Sequence, residues 1–235
     1  MDALDFGNSI GIIGGDTAFF LGLEAYFYND FATDLNLKAA SLYEQAFIEI
    51  ANGVLIEMNM VNKEKLTIND YINMISLKTG ALIEKSLLIG ANYANVNKAN
   101  VKLLSSYGIN LGIVFQIIDD ILGTFGDEKV TGKPTDGDIR EGKKTCLLIE
   151  AYEKLDDSKK KHLNELIHNQ TMTKNDVQKV KDLFLEAKVV DSCKELSRNY
   201  FDKAKNALDD LKKVIDPSEA EFFESLLKFV MNRNY

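Results

Sequence analysis

Apolar residues recur along this chain at intervals of three and four, the period of an amphipathic helix. Sustained alternation of the kind that marks a half-buried strand is missing. Leu35 to Met60, rich in Ala, Leu, Ile and Glu, predicts one long helix. Thr67 fits an N-cap, and Ile72, Ile75, Leu82 and Leu87 carry the helix it opens to about Tyr93. A further helix runs from about Ala99 to Phe125, where Gly126 stops it. Asp127 to Gly142 reads as a loop crowded with Gly, Lys and Asp. Helical spacing resumes in KTCLLIEAYEKL, from Lys144. From Thr173 to Leu211 the pattern supports one long helix or two in series, opened by a capping-box-like Thr173 and Asp176. Asp216 caps a last helix, with Pro217 and Glu219 in its first turn. With no repeat and no linker, the expectation is one all-α domain over residues 1–235.

The most apolar stretch, Ser9 to Tyr28, is long enough to suggest a membrane span. Asp16 and Glu24 lie inside it, and each carboxylate costs roughly 2.5–3.5 kcal/mol at a bilayer centre. Gly11, Gly14, Gly15 and Gly22 suit close helix packing instead. The expectation is a helix buried on most sides, in the core or in a dimer interface, and no membrane span.

Composition narrows the function. The chain carries 28 basic and 36 acidic residues, a net charge of −8. That disfavours a nucleic-acid surface, which needs a basic footprint. Only 2 prolines occur, in keeping with long uninterrupted helices. Cys146 and Cys193 lack the spacing of a zinc site or a redox pair, and read as buried free thiols in a reducing compartment. The N-terminus, MDALDFG, has no basic leader region, so the expected location is cytoplasmic.

Candidate chemistry gathers in FQIIDDILGTFGDEKVTGKPTDGDIREGKKT, from Phe115 to Thr145. Asp119 and Asp120 stand about 100° apart on a helix, so both reach one cavity if they flank its axis. Carboxylate oxygens suit Mg²⁺, which shares its octahedron with waters and substrate phosphates. The competing reading is the solvated end of an amphipathic helix. Lys129, Lys133, Arg140, Lys143 and Lys144 follow within 25 residues, and Gly126, Gly132, Gly137 and Gly142 let the backbone bend around a ligand. Carboxylates for a metal beside cations for phosphate oxygens make a diphosphate site; a surface loop of scattered charge is the alternative. Two similar patterns fail. GDIREGKK has Lys144 where a P-loop needs Ser or Thr. Glu165 and His168 form a single Glu-x-x-His where a dimetal bundle needs two, so His162 and His168 read as surface residues. Upstream, Lys78, Thr79 and Gly80 fall inside a helical pattern; in isolation they read as a packing notch with a snorkelling lysine, and the alternative is that Gly80 loosens the helix and frees a carbonyl to face a cavity. Gln116 precedes Asp120 by one helical turn.

With these residues in place, the sequence resembles the trans-isoprenyl diphosphate synthases, the farnesyl and geranylgeranyl diphosphate synthase family, in its archaeal-looking members. The Tyr107–Thr145 region resembles that family's second aspartate-rich motif. Gly14 to Asp16, NGVLIEM at Asn52 to Met58, and LKTGAL at Leu77 to Leu82 resemble earlier landmarks in the same order. The resemblance implies an all-α bundle of long helices around a central cavity, usually a homodimer. It implies Mg²⁺-dependent condensation of an allylic diphosphate with isopentenyl diphosphate. Asp119 and Asp120 would bind Mg²⁺, Lys133 and Lys143 the allylic diphosphate, and Lys78, Thr79 and Gln116 would line the reaction centre. Gly123 replaces the motif's usual last aspartate, and Val54 a common glutamine. The family's first aspartate-rich motif lies upstream of Gly15, before which only 14 residues stand. The expectation is therefore an N-terminally incomplete synthase with little activity alone, or a non-catalytic diphosphate-binding partner of an intact one.

Overall fold

Local capping sets the helix boundaries. The side chain of Asn97 accepts hydrogen bonds from the backbone N–H groups of Ala99 and Asn100, both at 3.0 Å, and so starts a 28-residue helix. Thr67 and Asp70 form a reciprocal capping box, as do Thr173 and Asp176. Asp216 accepts from the N–H of Ser218, with Pro217 as the first helical residue. The fold is a computed structural model that describes residues 3–61, 63, 65–127, 132, 134–169 and 171–233. Among them no strand occurs. The helices are α1 (Ala3–Glu24), α2 (Thr33–Met60), α3 (Ile68–Ile75), α4 (Ala81–Tyr93), α5 (Lys98–Phe125), α6 (Gly137–Arg140), α7 (Cys146–Lys154), α8 (Asp157–Ile167), α9 (Lys174–Glu186), α10 (Val189–Leu211) and α11 (Pro217–Met231). A π-helical turn, Ser76–Gly80, joins α3 to α4.

Helix α5 is the axis of the bundle. It packs against α10 on one side and α4 on the other, with α7 and α11 closing the remaining flanks. Tyr107, Val114 and Ile117 are fully buried, as are Leu147 on α7 and Leu208 and Leu211 on α10. Each such Leu or Ile contributes about 1.5–3 kcal/mol by leaving water, so the α5–α10 seam is the main source of cohesion. Tyr107 sends its hydroxyl to the carbonyl of Phe223 at 2.7 Å and so fixes α11 to the same axis. Among the described residues α5 is the one helix long and apolar enough to cross a membrane, but its apolar face is occupied by protein.

Some expectations are met and others change. Cys146 and Cys193 are buried free thiols, and His162 and His168 lie on the surface. The Thr173–Leu211 stretch is two helices, because Lys188 takes a left-handed conformation (φ 51°) and breaks the hydrogen-bond ladder. The helix expected to run unbroken to Tyr93 contains the π turn. The N-terminal apolar helix is not in the core. It leans on α2 through Phe19, whose ring lies 4.2 Å from that of Phe47 and stacks on Tyr43 at 5.3 Å. Phe6, Ile10, Ile13, Phe20 and Leu21 remain more than half exposed.

Two glycines set how closely the helices approach. A Cβ on Gly53 would stand 2.5 Å from the backbone nitrogen of Lys78, and one on Gly112 would stand 2.5 Å from the Cα of Gly80. So α2 and α5 both press directly onto the π turn, one from each side. Nearby, buried Glu84 and Lys85 pair with one another, with Glu49 of α2 and with Ser105 of α5. Gly53→Ala and Gly112→Ala should each lower stability by about 2–3 kcal/mol, the upper end of overpacking penalties. Gly90→Ala, on a face of α4 with nothing within 4 Å, should gain about 0.5–1 kcal/mol. Urea denaturation measures all three, and a neutral Gly112→Ala would show that α5 does not rest on the π turn.

Candidate active site

The π turn is where the site begins. One extra residue in the turn lets the N–H of Ala81 bond the carbonyl of Ser76, five residues back. Such turns often mark functional positions, because they displace side chains from the regular helical register. Here the turn carries Lys78 and Thr79. The Thr79 hydroxyl donates to Oε1 of Gln116 at 2.8 Å. The Gln116 amide N–H in turn donates to Oδ1 of Asp120 at 2.9 Å. The amide orientation is thereby fixed, since its nitrogen must face the carboxylate.

Asp120 is 1% exposed. A carboxylate so buried needs partners for its charge, and three elements supply them. Tyr71 of α3 donates its hydroxyl to Oδ2 at 2.7 Å, Gln116 serves Oδ1, and Lys143 places its ammonium 3.4 Å from Oδ1. Burial raises the Asp120 carboxyl above its usual range, and Lys143, Tyr71 and Gln116 each work against that rise. Burial opposes the charge of Lys143, but Asp120 and Asp138 outweigh it and hold the ammonium above the ordinary lysine range. Tyr71, fully buried beside that carboxylate, is held well above the normal phenol range. Lys144 has no such compensation, and burial lowers it.

These groups line a narrow cleft that their own side chains fill, leaving no free volume for a water molecule. Glu57, Lys78, Gln116, Asp120, Lys143 and Lys144 form its polar wall, over Met74 and Ile75. Lys78 is paired across it with Glu57 at 2.5 Å. Lys143 also reaches both oxygens of Asp138 at 3.4 Å. Two of the three cleft lysines, Lys78 and Lys143, thus have carboxylate partners. The helical bundle expected to surround a central cavity thus presents a cleft in the described chain.

Of the residues singled out from sequence, Lys78, Thr79, Gln116, Asp120 and Lys143 converge. Asp119 does not line the cleft. Its side chain is about half exposed (49%), with Arg233 at 3.9 Å. Lys133 and Lys129 lie outside the described residues. Arg140 holds the chain in place, pairing with Asp136 at 2.6 Å and donating to the Met172 carbonyl at 2.7 Å. Three site residues were missed. Glu57 stood in the quoted NGVLIEM segment without a role. Asp138 stood among loop charges, and its carboxylate lies 3.4 Å from where a Cβ on Gly123 would be. Tyr71 carried no sequence signal, since an aromatic at a core position is ordinary.

Among the described residues no group of three or more His, Cys, Asp or Glu side chains is arranged to hold a metal ion by itself. The donor set therefore does not fit an all-protein cage. It does fit a hard divalent cation that arrives with phosphate oxygens and keeps waters, which asks for only one or two carboxylates. Asp120 would be such a donor; its Oδ1 accepts from Gln116 at 2.9 Å and lies 3.4 Å from Lys143.

The polyprenyl synthetase family model matches residues 2–184. The geranylgeranyl diphosphate synthase of Sulfolobus acidocaldarius is 36% identical over 84% of this chain and 59% of the relative. The geranylfarnesyl diphosphate synthase of Aeropyrum pernix is 34% identical over 83% of this chain and 60% of its own length. Among solved structures, the geranylgeranyl pyrophosphate synthetase of Pyrococcus horikoshii superposes with a TM-score of 0.84. It is 32% identical over 96% of this chain and 67% of that one. The chain thus spans about three-fifths of the length of the curated relatives it matches. The chain belongs to the polyprenyl synthetase family.

Proposed function

We propose that this chain carries the diphosphate half of a short-chain prenyl synthase site. The reaction is condensation of an allylic diphosphate with isopentenyl diphosphate to a farnesyl- or geranylgeranyl-length product. The observation that carries the reading is the unbroken run of hydrogen bonds and ion pairs from Thr79 through Gln116 and Asp120 to Lys143, with Lys78 beside it. It sets cations for a diphosphate next to uncharged dipoles for a carbocation.

In this reading the allylic C1–O bond breaks and diphosphate leaves with the electron pair. The isopentenyl double bond supplies the electrons of the new C–C bond, and loss of one proton, taken by the released diphosphate, restores a double bond. Lys143 and Lys78 neutralise the departing charge once phosphate oxygens replace Asp138 and Glu57 as their partners. Mg²⁺, when bound, supplies further charge neutralisation at the diphosphate. Asp120 would hold it from the cleft wall, and Asp119 and Lys133 are assigned to the same ligands by family resemblance. The Thr79 hydroxyl and the Gln116 amide, bonded to one another, would supply uncharged dipoles beside the developing cation. Met74 and Ile75 help exclude water.

The same reading gives the α1–α2 layer an occupant. Phe6, Ile10, Ile13, Phe20, Leu21 and Phe27 are each more than half exposed, and large apolar side chains exposed together mark an interaction surface. A second copy related by a two-fold axis closes it most simply.

Calorimetry with inorganic diphosphate should show binding that requires Mg²⁺ and disappears with chelator. Asp120→Ala and Lys143→Ala should each weaken it at least about ten-fold, while Lys161→Ala, on exposed α8, should not. Metal-independent binding of equal strength would remove the assignment of Asp120. Incorporation of labelled isopentenyl diphosphate separates a catalytic chain from a diphosphate-binding partner: turnover with an allylic co-substrate favours the first, and binding without turnover the second. Light scattering at micromolar concentration should report twice the 26.4 kDa chain mass, and a stable monomer would sink the dimer.

A further inference from the structure

Asp120 owes its orientation to a residue the proposed chemistry does not use. Tyr71 is 0% exposed and sits 49 positions before Asp120, on a different helix. Its hydroxyl donates to Oδ2 at 2.7 Å, while both remaining partners, Gln116 and Lys143, meet Oδ1. The two oxygens are thus divided: one is tied to the interior of the bundle, the other is turned to the ammonium. A terminal carboxylate torsion has a broad, nearly two-fold profile, so the side chain by itself does not set the plane of the carboxylate. The hydrogen bond from Tyr71 helps fix that plane.

We infer that Tyr71 is a positioning residue for the diphosphate–Mg²⁺ site. By anchoring Oδ2 of Asp120 it presents Oδ1 to the incoming ligand, an inference that rests on the functional reading above. The capping box of Thr67 and Asp70 supports the geometry, because it fixes the start of α3 one turn before the tyrosine. The ring is 0% exposed, so the phenol is held among interior groups, with the Cys146 thiol as its other polar neighbour.

Tyr71→Phe keeps the ring and removes only the hydroxyl. The measurement is diphosphate binding by calorimetry across a series of Mg²⁺ concentrations, with thermal melting of the unliganded protein alongside. The Mg²⁺ concentration for half-maximal binding should rise about ten-fold or more, the typical consequence of losing a hydrogen bond to a charged group. Saturating Mg²⁺ should restore diphosphate affinity to near the unsubstituted level. Tyr107→Phe is the matched control, since its buried hydroxyl also makes a 2.7 Å bond but to the Phe223 carbonyl. It should lower the melting temperature without moving the Mg²⁺ dependence. In an Asp120→Asn background, which strands no charge if Tyr71→Phe alone fails to fold, adding Tyr71→Phe should weaken binding no further.

An unchanged Mg²⁺ dependence in Tyr71→Phe overturns the inference while leaving the diphosphate reading intact. So do an equal shift in Tyr107→Phe and additive losses in the double variant. Absence of any Mg²⁺-dependent diphosphate binding by the unsubstituted chain overturns both.

Discussion

A negative charge held under the surface of a helical bundle constrains everything around it. Asp120 lies on the central helix, among Ile117, Ile118 and Ile121, where an unpaired carboxylate would be several kcal/mol out of place. Tyr71, Gln116 and Lys143 therefore have to arrive at fixed distances, and they come from three separate stretches of chain. Moving α3 or the segment before α7 would strand the charge. The stability of the fold and the geometry of the cleft are thus one requirement.

Meeting that requirement depends on how closely helices approach. Gly53 and Gly112 remove the Cβ atoms that would hold α2 and α5 away from the π turn. That turn then sets Thr79 against Gln116 and Lys78 against Glu57. The irregular turn is tolerated because it is sandwiched between two regular helices. Any loss in its own hydrogen-bond geometry is offset by packing on both sides. Glu57 pairs with Lys78 and Asp138 with Lys143, so neither cation is left unpaired in a half-buried site.

Asp120 is buried and cross-tied, whereas Lys143, Lys78 and Glu57 are all partly exposed. Asp119, one residue from Asp120, is rotated by the helix into a half-exposed setting beside Arg233. Adjacent residues on a helix do not share a face, and the pair of carboxylates that looks alike in the sequence has two different environments. Gly123, one turn further on, leaves room that the Asp138 carboxylate approaches from the following segment.

The sequence by itself determined what depends on near neighbours. Helix starts at Thr67, Thr173 and Asp216 were legible because a cap is a bond between residues two or three apart. The all-α class followed from the apolar period, and the cleft residues from Lys78 to Lys143 followed from residue types carried in ordered motifs. The tertiary structure decided what depends on distant neighbours. It placed Tyr71 on Asp120 across 49 residues, broke the long helix at Ser76–Gly80, and left the apolar α1 outside the core. None of these is a local preference. A phenol becomes an anchor only when packing brings a buried carboxylate to it, and an apolar helix becomes core or surface only according to what else packs against it.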